Sequence, residues 1–85
     1  MKILYFAIYD EKSEAYMQPF PNQTKGSAIR SFGDTVADEK SSLHVHPEDY
    51  SLVYLGKYDD HTGKYEQPEV PEVIAKAKDF VEVKE

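Results

Sequence analysis

Apolar positions recur in this chain with two different periods. Over Lys2–Tyr9 they alternate: Leu4, Phe6 and Ile8 share one side, and Ile3, Tyr5, Ala7 and Tyr9 share the other. Over Ser51–Tyr58, Val53 and Leu55 fall on one side with Lys57, while Leu52, Tyr54 and Tyr58 fall on the other. Successive side chains of a strand point to opposite faces, so both stretches predict strands with an aliphatic face and a tyrosine face. The first is apolar on both sides, which predicts a central position in a sheet. The spacing changes in Ala28, Ile29, Phe32 and Val36, where a three-to-four period predicts a helix running to about Ala37. A similar stripe in Val73, Ile74, Ala77, Phe80 and Val81 predicts a last helix, with Pro71 at its start.

Turn chemistry joins these segments. Asp10-Glu11-Lys12-Ser13 reads as a polar turn into a second strand over Glu14–Gln18, which Pro19 and Pro21 end because proline cannot donate to a ladder. Asn22 or Thr24 can cap the first helix, and Thr24 with Ser27 makes a weak capping box, since Glu or Gln is the usual partner. Residues 38–46 read as loop, followed by one helical turn in which Pro47 takes the first position. Asp59-Asp60-His61-Thr62-Gly63 reads as a hairpin turn into Lys64–Gln67. The order β-β-α-β-β-α predicts an α+β fold: a small antiparallel or mixed sheet with two helices packed on one face. One domain is expected over residues 1–81, with 82–85 as a frayed tail.

Composition narrows the function. The 85 residues contain no cysteine, which excludes disulfides, thiolate catalysis and cysteine-ligated metals. No apolar run approaches the ~20 residues that span a bilayer. The apolar start holds two tyrosines and runs into Asp10-Glu11-Lys12, so it reads as the first strand and not as a leader. Net charge is −6, which opposes strong nonspecific DNA binding. The imbalance lies in the second part. Residues 1–33 carry four basic and three acidic side chains, and residues 34–85 carry six and thirteen. An anionic ligand is therefore expected at the first part.

Catalytic patterns are thin. His44 and His46 would share a face if extended, and His61 follows beside Asp59 and Asp60, but no third ligand is fixed near the pair. Asp59, Asp60, Glu48 and Asp49 could pair for acid–base or magnesium chemistry. Such short patterns arise often by chance, and the loop and turn readings outweigh both. Thr24-Lys25-Gly26-Ser27 lacks the glycine spacing of a phosphate loop. No metal, cofactor or catalytic group is expected. The tyrosine face has three readings: it is covered by the chain's own loops, it is a dimer seam, or it is a platform on which bases stack.

Several motifs keep a common order: Tyr9-Asp10-x-Lys12, Ala15-Tyr16-x-x-Pro19-Phe20, Thr24-Lys25-Gly26-x-Ala28-Ile29-Arg30-x-Phe32, His46-Pro47-Glu48-Asp49-Tyr50-x-Leu52 and Gly56-x-Tyr58-Asp59-Asp60-x-Thr62-Gly63. Together they resemble the small non-structural protein of gokushoviruses, tailless single-stranded DNA phages of the Microviridae. The resemblance spans about residues 3–63. It implies a non-enzymatic, non-virion protein in the bacterial host cytoplasm, serving single-stranded genome synthesis or its coupling to packaging. The partner would be single-stranded DNA or a phage replication or capsid protein. If DNA is bound directly, Tyr5, Tyr9, Tyr54 and Tyr58 are expected to stack on bases, and Lys2, Lys12, Lys25 and Arg30 to meet phosphates. The alternative is a homodimeric interaction module that buries the tyrosine face and recruits a basic protein.

Overall fold

The structure is a computed structural model that describes residues 2–81. The expected frayed tail lies outside these residues. Six strands form one antiparallel sheet: β1 (Lys2–Asp10), β2 (Ala15–Tyr16), β3 (Phe20–Asn22), β4 (Tyr50–Asp59), β5 (Lys64–Glu66) and β6 (Glu72–Lys76). The long strands β1 and β4 pair along their whole length at the centre. β2 and β3 share the outer edge of β1, and β5 and β6 share the outer edge of β4. Pro21 is tolerated inside β3 because that strand lies at the sheet's edge.

One helix of 13 residues, α1 (Lys25–Ala37), packs on this sheet. Its N-terminus is closed as the sequence suggested, and the short box is complete. The Ser27 amide donates to Thr24 Oγ1 at 3.0 Å, and the Thr24 amide donates to Ser27 Oγ at 3.3 Å. Ser27 Oγ also donates to Asn22 Oδ1, which ties the cap to β3. Thr24→Ala should lower stability by about 1 kcal/mol, read as a fall of several degrees in the thermal midpoint. Two short turns follow: α2 (Ser42–Val45), in the stretch expected to be loop, and a 3-10 turn over Pro47–Asp49, where the proline-led turn was expected.

The second packed helix does not form. Residues 72–76 are strand β6, and Ala77–Phe80 make a single 3-10 turn. The fold is therefore a six-stranded antiparallel sheet with one helix, not a sheet carrying two. The cause lies in β4. Its outer edge is taken by β5 only opposite residues 57–59, leaving 51–54 with unmet backbone groups. Extended Val73 and Ile74 supply partners there, and β-branched residues fit a pleated surface well. Part of the expected stripe still reaches the core: Ile74, Ala77 and Phe80, joined there by Ala75, while Val73 and Val81 are exposed.

The core lies between the sheet and α1. Phe6, Ala28, Phe32, Val36, Leu43, Leu52 and Ala77 are buried there, with Leu4, Ile8, Tyr50 and Tyr54 packed around them. Phe80 meets Phe32 edge to face at 5.7 Å and lies flat on Gly33, where a Cβ would sit 3.4 Å from its ring.

Candidate functional site

The register of β1 on β4 decides which tyrosines share a face. Tyr5 pairs with Gly56, but Phe6 pairs with Tyr54, so Leu55 is an extra residue in β4. Such a bulge reverses the alternation of everything beyond it. Cross-strand partners share a face, so Tyr54 and Leu52 join Phe6 and Ile8 beneath α1. Tyr58 stays with Ile3 and Tyr5 on the open side, where Val53, Ala7 and Tyr9 also lie. The expectation that Tyr54 and Tyr58 share a face is corrected by this one inserted residue.

The open face carries a groove of about 410 Å³ lined by Tyr5, Pro19, Leu55, Tyr58 and Tyr65. Tyr65 pairs directly with Tyr58 across β4 and β5, and its ring is 6.4 Å from that of Tyr5. It lies over Gly56, whose φ of +154° belongs to the region that side chains rarely adopt. A Cβ there would overlap the Glu66 carbonyl oxygen and sit 2.7 Å from the Tyr65 hydroxyl. Glycine in a strand often marks such a bulge or close approach. At the other end of the face, Tyr9 packs against Tyr16 with ring centroids 4.8 Å apart. Ala7 and Val53 lie between the two ends, buried yet outside the main core cluster.

The expected nucleic-acid set does not gather. Tyr5 and Tyr58 meet in the groove, and Tyr9 shares their face with Tyr16. Tyr54 is on the opposite face, where the Lys25 ammonium sits 4.5 Å from its ring centroid and 3.5 Å from Glu72. Lys25 is thus engaged in holding the start of α1 onto β4 and β6. Arg30 is exposed on α1, and Lys12 sits in the β1–β2 turn, its amide donating to Asp10.

Lys2 behaves differently. It is exposed at the strand ends on the reverse face from the groove, where Lys2, Lys57 and Lys64 line one small hollow with Asp59 and Glu66. Lys57 bridges Glu66 at 3.5 Å. The Asp59 carboxyl accepts from the His61 amide at 2.9 Å, and that bond, with the nearby Lys2 ammonium, holds it below the usual carboxylate range. Alternation within single strands missed Tyr65, Tyr16, Lys57 and Lys64. Pairing Tyr58 with Tyr65 was accessible from the Asp59–Gly63 turn, because the turn fixes hairpin register.

The histidines are not one cluster. His44 Nδ1 lies 2.9 Å from the Val36 carbonyl oxygen, serving the end of α1. His61 is in the β4–β5 turn. His46 stands with Glu48 and Asp49 on the Pro47 turn, their ligand atoms within 4.8 Å of one another. That group is surface-lying and shares its hollow with Lys12, whose charge opposes a cation.

The model of the Phage ORF5 protein family matches residues 3–80. The chain belongs to that family. A relative, Protein ORF5 of Chlamydia phage 1, is 39% identical over 69 aligned positions, covering 76% of this chain and 72% of the relative. That phage is a gokushovirus of the Microviridae, so the resemblance carried by the motifs holds. No solved structure matches the chain. The family match extends past Gly63 through β5, β6 and the last turn, to which the motifs did not reach. Among the described residues no helix is long and apolar enough to cross a membrane.

Proposed function

We propose that this ORF5-family protein is a non-enzymatic accessory of single-stranded DNA genome synthesis and packaging, acting in the host cytoplasm and absent from the virion. It works by binding, and the tyrosine groove is where single-stranded DNA stacks. One observation carries this reading: three tyrosines ring an open groove whose lining contains no carboxylate, in a chain of net charge −6. Every base has a π-face, so aromatic stacking is tolerant of sequence. Lys2, Lys57 and Lys64 lie at the same strand ends but on the reverse face of the sheet. They therefore meet phosphates only of a strand that leaves the groove and turns over the sheet's end, where Asp59 and Glu66 moderate their charge. Tyr54 leaves the proposed set because it lies on the α1 side of the sheet, and Lys25 because it is committed to the Tyr54 ring and Glu72.

The test is anisotropy of a labelled oligonucleotide at low salt and dilute protein. Tyr58→Ala should weaken binding by about 1–3 kcal/mol, the worth of one stacked base. Engaging three lysines gives an affinity that falls with salt at a log–log slope of about −2 for a single strand. Absence of binding at protein concentrations on the order of tens of micromolar removes direct DNA contact from the function.

A further inference from the structure

The tyrosine face is larger than the groove. Along β1 and β4 it runs from Tyr58 and Tyr65 through Tyr5, Leu55, Ala7, Val53 and Val73 to Tyr9 and Tyr16. Register places only Ser51 and Lys76 on it as polar residues of the strands. Ala7 and Val53 at its middle are buried, but the side chains around them are open: Tyr16 is 49% exposed, Tyr65 47% and Val73 54%. The helix is on the other side of the sheet and gives it no cover.

We propose that in the free protein a second copy of this chain covers this face, the two copies related by a two-fold axis. Three observations select this occupant. First, size: the side chains named above leave roughly 500 Å² of face open, so two copies bury about 1,000 Å² in all, the lower bound of a specific interface. A patch of this size is about the largest a monomer carries, and such a patch commonly marks an interaction site. Second, charge: the strands present no carboxylate on this side, although the chain has sixteen. Two such faces meet without bringing their acidic surfaces together, whereas a basic partner would find nothing to pair with here. Third, chemistry: a two-fold seam needs a self-complementary patch. Tyrosine provides this, offering an apolar ring and a hydroxyl that both donates and accepts.

A seam of this area is weak and reversible. It also covers the groove, so dimer and DNA-bound monomer exclude each other; this consequence rests on the function proposed above. Each oligonucleotide bound then releases a protomer, and apparent DNA affinity falls as protein concentration rises.

Sedimentation velocity from low to high micromolar protein tests the seam. Wild type should pass from monomer to dimer. Val73→Glu and Tyr16→Glu, both exposed and outside the groove lining, should remain monomeric with unchanged circular dichroism. At dilute concentrations they should bind oligonucleotide as wild type does. Saturating oligonucleotide should convert the wild-type dimer to monomer–DNA complexes. A protein that stays monomeric throughout, or a dimer that survives both substitutions, overturns the seam whatever DNA does. A dimer that binds oligonucleotide without dissociating overturns the shared face. Failure of the dilute variants and the dilute wild type alike to bind DNA removes the DNA reading and leaves the seam to be judged on the concentration series.

Discussion

Phe6→Ala should cost about 3–5 kcal/mol, the range for truncating a buried aromatic. Phe6 is fully buried at the middle of β1. Its ring stacks on Phe20 at 6.0 Å and tilts against Tyr54 at 5.6 Å, so it joins β3, β1 and β4 beneath α1. Little can collapse into the space, because the neighbours are held by the central ladder and by the helix. A domain of this length has a total stability of about 4–13 kcal/mol, so the loss takes much of the margin. Urea unfolding followed by circular dichroism should show a large drop in midpoint. Ile8→Ala, on the same face but only half-buried, should cost less. Equal and small effects at both positions would mean that the core is not centred between β1 and α1.

The legible parts of this fold are those that single-element patterns control. β1, β4 and α1 appear where alternation and the three-to-four stripe place them, and the Thr24 cap and the Pro47 turn lie at the residues that signal them. Two parts were not legible, and both depend on a neighbour. Val73, Ile74, Ala77 and Phe80 suit a helix by spacing alone. What makes 72–76 a strand is the vacant edge of β4 at 51–54, a feature of the assembled sheet. The tyrosine face likewise turns on Leu55. No local signal beyond Gly56 announces that β4 contains one residue more than β1 opposite it, and that residue sends Tyr54 to the core. Three of the four expected tyrosines share the open face: Tyr5 and Tyr9 lie on β1, which has no inserted residue, and Tyr58 lies on the far side of Leu55 from Tyr54. The cations fared worse, since charge counts along the sequence carry no face. Lys25 lies in the less acidic part and yet is committed to Glu72 and the Tyr54 ring.

Gly56→Ala is the sharpest test of that bulge, with an expected loss of about 2–5 kcal/mol from backbone strain and overpacking combined. Gly56 is buried, and its φ of +154° is one that alanine rarely adopts. The new Cβ would also meet two kinds of obstacle. The Tyr65 ring, with its hydroxyl at 2.7 Å and Cζ at 2.9 Å, belongs to an exposed side chain that can swing away. The Glu66 carbonyl oxygen is backbone, fixed by pairing of β5 with β4, and cannot move without breaking that ladder. A double-mutant cycle separates them. In a Tyr65→Ala background, Gly56→Ala should become milder by about 1 kcal/mol and remain clearly destabilising. Chemical denaturation of the four proteins gives the cycle directly. If Gly56→Ala proves harmless, β4 cannot have the strained, closely covered backbone seen here. The inserted Leu55 would lose its support, and with it the separation of Tyr54 from Tyr58 on which the tyrosine groove and the two-fold seam both depend.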